Sequence, residues 1–173
     1  MSRVKIPAIF QGGDRRSIGR SGEVVRLVLK NPRRFSELVA CLWSEDPAVR
    51  LRAADAAEKI SLQRPGLLQR HKAELLGLLA ETTQIELRWH LAQMIPRLQL
   101  SPRERHRAVA SLQRYLDDRS SIVRTFALQA LFDLSRDDAA LRDNVGQLLE
   151  TALKSGTPAM KARARKLLQK RSR

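Results

Sequence analysis

Apolar positions recur most regularly in the stretch Asp46 to Ile60, DPAVRLRAADAAEKI. Val49, Ala53, Ala57 and Ile60 fall at the three-to-four-residue spacing of one helix face, with Ala54 and Ala56 beside them. Asp46 reads as the N-cap and Pro47 as the first helical residue, where a missing N–H costs nothing. The pattern then returns. Val49-Arg50 is echoed by Leu87-Arg88, Val123-Arg124 and Met160-Lys161, at steps of 38, 36 and 37 residues. Three residues after each basic side chain comes a small or apolar one: Ala53, Leu91, Ala127 and Ala164. One further on are Ala54, Ala92 and Leu128, with Arg165 as the exception, and three further still are Ala57, Ile95, Leu131 and Leu168. The helix-start position recurs as Ser120 and as Thr157-Pro158, with Thr83 or Gln84 a poorer cap in the second unit.

A second set of helices alternates with these. Ser21 to Lys30 reads as a short helix with Ser21 as N-cap, Glu23 in its first turn and Val24, Leu27 and Val28 on its apolar side. Pro32 to Ser44 carries Phe35, Leu38, Val39, Leu42 and Trp43 as a buried stripe, with Cys41 packed among them. Leu68, Leu75, Leu76, Leu78 and Leu79 open the next unit after the Pro65-Gly66 loop. Its second helix, Ile85 to Leu98, contains Pro96, which is expected to kink it or end it near Ile95. Ser101, Pro102 and Glu104 form a helix start, and Leu141, Val145, Leu148, Leu149 and Leu153 mark the first helix of the last unit. Residues 1–20 carry Pro7, Gly12, Gly13 and Gly19 and are predicted to be an irregular, flexible basic arm. The apolar run Val4 to Phe10 leaves docking onto the first helices as the alternative.

A fixed period of this length marks a repeat architecture. Each unit, an apolar helix, a turn, and a second helix opening D-P-x-V-R-x-x-A-A, resembles a HEAT repeat, over roughly residues 32–171. The resemblance implies an all-α, right-handed α-solenoid of about four two-helix repeats, at about 32–61, 65–100, 102–135 and 137–171, within a single domain spanning 21–173. The helix at Ser21 is the natural N-terminal cap and the basic last helix the C-terminal one. It also implies that the second helices line a concave face. If Val49, Ala53 and Ala57 point inward, then Leu51, Arg52 and Asp55 turn away. Their equivalents are Trp89, His90 and Gln93, then Thr125, Phe126 and Gln129, then Ala162, Arg163 and Lys166. Arg52, Trp89, His90, Gln93, Phe126 and Gln129 are therefore the candidate partner-binding residues, Trp89 and Phe126 foremost as aromatic anchors. Their competing reading is packing between neighbouring units.

In HEAT families the recurrent basic residue commonly pairs with an Asp six positions earlier. Here those positions are Ser44, Thr82, Asp118 and Ser155, so Asp118 alone fits, opposite Arg124. The departure leaves Arg50, Arg88 and Lys161 as candidate anion ligands, unless Asp46 and Glu86 substitute locally or the basic groups bond helix-end carbonyls.

Charge changes the picture at the two ends. The net charge is +15, with +7 in residues 1–34, +8 in residues 154–173 and a neutral middle. Arg outnumbers Lys by 25 to 8, which suits bidentate contacts to phosphate. Arg3, Lys5, Arg15, Arg16 and Arg20 lie in the predicted arm. In the last helix Lys161, Arg163, Arg165, Lys166, Lys170, Arg171 and Arg173 surround the stripe Met160, Ala164, Leu167 and Leu168. Arg163, Arg165, Lys166 and Lys170 join the candidate anion ligands. Such a helix caps a stack or lies along nucleic-acid phosphates. It lacks the aromatic anchors of a membrane-surface helix.

No glycine-rich phosphate loop is present. His71, His90 and His106 sit in different helices without metal-ligand spacing, and Asp117-Asp118 and Asp137-Asp138 read as capping acids at helix junctions. No metal, cofactor, small-molecule substrate or catalytic set is expected. The single Cys41, the lack of an apolar leader in the first residues and the lack of a run of about 18 apolar residues point to a cytoplasmic location. The functional expectation is a non-enzymatic scaffold offering a concave helical surface to a protein partner. A nucleic-acid-binding protein using the basic ends is the alternative. Its sharpest form is a HEAT-like DNA glycosylase, for which Trp89 and Asp55 are the only counterparts.

Overall fold

A computed structural model describes residues 4–14 and 17–171 of the chain. Arg3, Arg15, Arg16 and Arg173 of the expected basic ends lie outside the described residues. The described regular structure is helical, with no strand among the described residues. The chain divides into two compact units, Met1–Leu75 and Leu76–Arg173.

The first unit is built on one helix. It contains α1 (Ile6–Phe10), α2 (Ser21–Lys30), α3 (Phe35–Ala40) and α4 (Pro47–Gln63). α1, α2, α3 and the 3-10 segment Pro65–His71 all pack on α4. The alanines explain why: Ala53, Ala54, Ala56 and Ala57 are all essentially inaccessible, and their small side chains let neighbours approach from several directions. α4 starts as its sequence predicts, with Asp46 Oδ1 accepting from Ala48 N at 2.8 Å and Pro47 in the first turn.

Several expectations for this unit need correction. The stretch 1–20 contains a helix, α1, whose Ile6, Ile9 and Phe10 are buried; the apolar content of Val4 to Phe10 outweighs the irregularity suggested by its prolines and glycines. Ser21 does not cap α2. It is the first helical residue, fully buried, and its hydroxyl donates to Asp55 Oδ2 instead. Pro32 to Ser44 is not one helix but a 3-10 turn, α3 and a second 3-10 turn, Cys41–Trp43. The tighter winding of that last turn rotates Trp43 off the stripe shared by Leu38, Val39 and Leu42, leaving it 53% exposed.

After α5 (Lys72–Glu81), the second unit continues with α6 (Ile85–Met94), α7 (Pro102–Tyr115), α8 (Ser121–Leu134), α9 (Ala139–Ser155) and α10 (Pro158–Arg171). α6 packs on α8 and α8 on α10, while α7 covers α8 and α9 covers α10. Leu87, Leu91, Leu112, Val123, Ala127, Leu131, Leu149, Ala164 and Leu167 fill the space between them. Pro96 acts as predicted: α6 stops at Met94 and a 3-10 turn, Ile95–Arg97, follows. Ser101 and Glu104 form a reciprocal capping box, and Ser120 and Asp138 cap α8 and α9 through Val123 N and Leu141 N. Gln84 opens α6 without a side-chain cap.

Candidate functional site

α6, α8 and α10 lie side by side in the second unit. Trp89, Phe126 and Arg163 are separated by 37 residues each. The Trp89 and Phe126 rings stack with centroids 5.7 Å apart and planes inclined at 22°. The Arg163 guanidinium lies over the other end of this row, 5.5 Å from the Phe126 ring centroid. Arg163 Nη1 also donates to Gln129 Oε1 at 2.9 Å, and Gln129 Nε2 donates to Asp133 Oδ2 at 2.9 Å. Gln93 Nε2 makes a longer contact to Trp89 O, 3.4 Å. All of these side chains are half-buried. Gln93, Phe126, Gln129, Asp133 and Arg163 line an open groove of about 440 Å³ together with Pro96, Arg97 and Arg136, and Trp89 stacks on Phe126 outside that lining.

Four of the six candidate partner-binding residues, Trp89, Gln93, Phe126 and Gln129, are thus brought together. The other two are not available. His90 is 1% exposed and its Nδ1 is within hydrogen-bond distance of Glu86 O, at 2.7 Å, as the adjacent Trp89 ring covers it. Arg52 is 2% exposed. Its guanidinium donates to the carbonyls of Phe10, Gly12 (2.7 Å), Asp14 (2.7 Å) and Ser17 (3.0 Å), so it holds the N-terminal segment rather than a partner. Leu51 and Asp55, also expected to turn away, are buried at 8% each. Chain that folds back onto α4 covers this face: Asp55 accepts from Ser21 Oγ and from Lys59 Nζ, 2.8 Å. Thr125 is buried, and its hydroxyl is satisfied by bonding back to Ser121 O within α8.

The candidate anion ligands divide in the same way. Arg50 Nη1 donates to the carbonyls of Ser44 (2.5 Å) and Glu45 (3.1 Å). Arg88 donates from Nε to Thr82 O at 2.8 Å and from Nη1 to Asp118 Oδ2 at 2.5 Å, and it lies 5.2 Å from the Tyr115 ring centroid. Asp118 therefore serves Arg88, 30 residues earlier, and not Arg124 as the family spacing implies. Its other oxygen takes Ser120 N at 2.7 Å. Lys161 is half-buried, whereas Arg165, Lys166 and Lys170 are exposed on α10. Lys5 and Arg20 are exposed in the first unit, and Arg20 pairs with Glu23 at 2.8 Å.

Sequence reasoning missed Arg97, Asp133 and Arg136 at the groove. Arg97 follows the Pro96 break and Arg136 follows the end of α8, so neither stands at a helix-repeat position. Asp133 was findable, four residues after Gln129 on the same helix face.

Among the described residues no group of three or more His, Cys, Asp or Glu is placed to hold a metal ion. No described helix is long and apolar enough to cross a membrane. Burial, helped by the Glu37 charge, pushes the Cys41 thiol up to about 11, so it is a poor nucleophile at neutral pH. Burial also raises the Tyr115 phenol to about 12, and its hydroxyl donates to Leu79 O at 2.7 Å. No family model, curated protein or solved structure matches the chain.

Proposed function

We propose that the chain is a non-enzymatic binding module of HEAT type, a right-handed α-solenoid of about four units, that holds an extended segment of a protein partner in the cytoplasm. The observation that carries this reading is the row Trp89, Phe126 and Arg163 across α6, α8 and α10, of which Phe126 and Arg163 line the groove and Trp89 backs Phe126. Half-exposed aromatics and arginine are the residues most often found as contact anchors. Gln93 and Gln129 add amide groups able to pair with a peptide backbone. Asp133 and Asp137 stand in the groove beside Arg97, Arg136 and Arg163, so the lining has mixed sign. A mixed lining suits a peptide better than a polyphosphate.

Panning a random-sequence displayed peptide library on the Trp43→Phe protein tests this, because Trp89 then remains the single tryptophan reporter. Recovered peptides should change Trp89 fluorescence and lose at least tenfold in affinity on Phe126→Ala, with the fold intact by circular dichroism. Peptides whose binding is indifferent to both Phe126→Ala and Arg163→Glu would remove the groove from consideration.

A nucleic-acid reading is favoured by one separate observation, the exposed Arg165, Lys166 and Lys170 on α10. It requires affinity for duplex or single-stranded probes that falls steeply with salt. Fluorescence anisotropy over a salt series, with the full chain beside one lacking residues 1–20, reads this. Replacing Arg165, Lys166 and Lys170 together by Glu should then abolish binding while leaving peptide capture in place.

A further inference from the structure

We infer that a second groove, between α7, α8, α9 and α10, is a binding site for an apolar group that carries a single carboxylate, received by Arg124. The argument begins with the recurrent basic residue. Arg50 is satisfied by two carbonyls, and Arg88 by a carbonyl and by Asp118, the residue six positions before the basic residue of the next unit. The same position after Arg124 is Ser155, six before Lys161. Its hydroxyl donates to Thr151 O, 3.1 Å away, and it brings no negative charge. Arg124 is consequently left with a buried Nε–H that has no hydrogen-bond partner. A buried, unpaired guanidinium N–H is costly, and native structures rarely leave one without a use.

The groove that Arg124 lines has a volume of about 530 Å³, the size of a small-ligand site. Leu128, Leu148 and Met160 supply its apolar wall, and Ser155 lies in the same lining. Asp117 is also there, exposed, and makes no ion pair with Arg124. Its charge opposes a dianion such as phosphate, whereas a monocarboxylate has to offset only one like charge and gains a charge-assisted bond from Arg124. A free acid and the last residue of a peptide chain present the same chemistry.

The test follows the Arg124 Nε–H resonance in the full, ¹⁵N-labelled chain, assigned by its loss in Arg124→Lys. Octanoate and N-acetyl-leucine stand for the two sources of carboxylate, with octanol and N-acetyl-leucine amide as neutral controls. One or both carboxylates should move the Nε–H signal in a saturable way at millimolar concentration, and the controls should not. Whichever of the two binds more tightly identifies the source. Ser155→Asp should supply the acceptor that Arg88 already has, shift the Nε–H signal without ligand, and weaken carboxylate binding at least tenfold. The inference is overturned if neither carboxylate moves the Arg124 signal, if the neutral controls move it equally, or if Ser155→Asp binds as the parent does.

Discussion

Arg52 on α4 and Arg163 on α10 share a sequence position, each two residues after a recurrent basic residue, Arg50 and Lys161. Their surroundings are opposite. Arg52 is buried and surrounded by four backbone carbonyls from residues 10–17. Arg163 is half-exposed, lying on Phe126 and bonded to Gln129 at the edge of an open groove. Helix register is the same in both. The difference is that in the first unit α1 and residues Gly12, Asp14 and Ser17 lie against that face of α4, and among the described residues of the second unit no such segment covers Arg163. An arginine two residues after the recurrent basic position is thus a structural clamp where chain covers it and stays open to solvent where none does.

The strongest way to break this comparison is Arg52→Ala. Hydrogen bonds to a charged group are worth about 1.5–3 kcal/mol each, and four are lost together, although the freed carbonyls regain some water. A loss of about 4 kcal/mol is expected by denaturant unfolding, with amide-exchange protection disappearing from residues 6–10. Unchanged protection there would show that Ile6 and Phe10 hold the segment without the clamp. Next in size comes the pair Arg88→Ala and Arg124→Ala in the second unit. The first strands the buried Asp118 carboxylate and should cost about 3 kcal/mol. The second removes no hydrogen bond and should cost under about 1 kcal/mol. Equal losses would mean that the two arginines are equivalent after all.

Much of the helical layout was legible before any coordinates. The caps Asp46, Ser101 and Ser120, the stop at Pro96 and the alternation of helices all follow from local chemistry, because a cap or a proline acts within one turn. What was not legible depended on chain brought in from elsewhere. Nothing in DPAVRLRAADAAEKI announces that the carbonyls of Phe10, Gly12, Asp14 and Ser17 will gather around Arg52. Likewise, the resemblance to HEAT repeats implied a pairing of Asp118 with Arg124, whereas the side chain reaches Arg88 on α6. Of the groove region, Trp89 and Phe126 were readable singly as aromatics turned from the core, but not as a stacked pair, because the recurrent pattern sets Trp89 level with Thr125; Arg97 and Arg136, set at helix ends, were not readable.

Gly19 sharpens the comparison at smaller scale. Its φ of +51° lies in the left-handed region, and a Cβ there would sit 2.9 Å from Arg52 Nε. That end of Arg52 is pinned by carbonyls and has little room to yield. Gly19→Ala should therefore cost about 1–2 kcal/mol. Paired with Arg52→Ala it should cost less than the two alone would sum to, since the clash has gone. Strict additivity in that double-mutant cycle would mean that Gly19 answers only to its own backbone.

The smallest effect on stability is expected at the other arginine. Arg163→Ala loses one part-exposed hydrogen bond and one cation–π contact, roughly 1 kcal/mol together, and both ends of the lost contacts remain open to water. Arg163→Lys separates the two: an ammonium keeps the charge over Phe126 but not the planar fork that meets Gln129. If the row acts as a ligand surface, captured peptides should weaken more than the fold does in Arg163→Ala, and Arg163→Lys should restore only part of the affinity. A loss of stability as large as that of Arg52→Ala would place Arg163 among the clamps, and the two faces would then differ only in how much of the side chain water can reach.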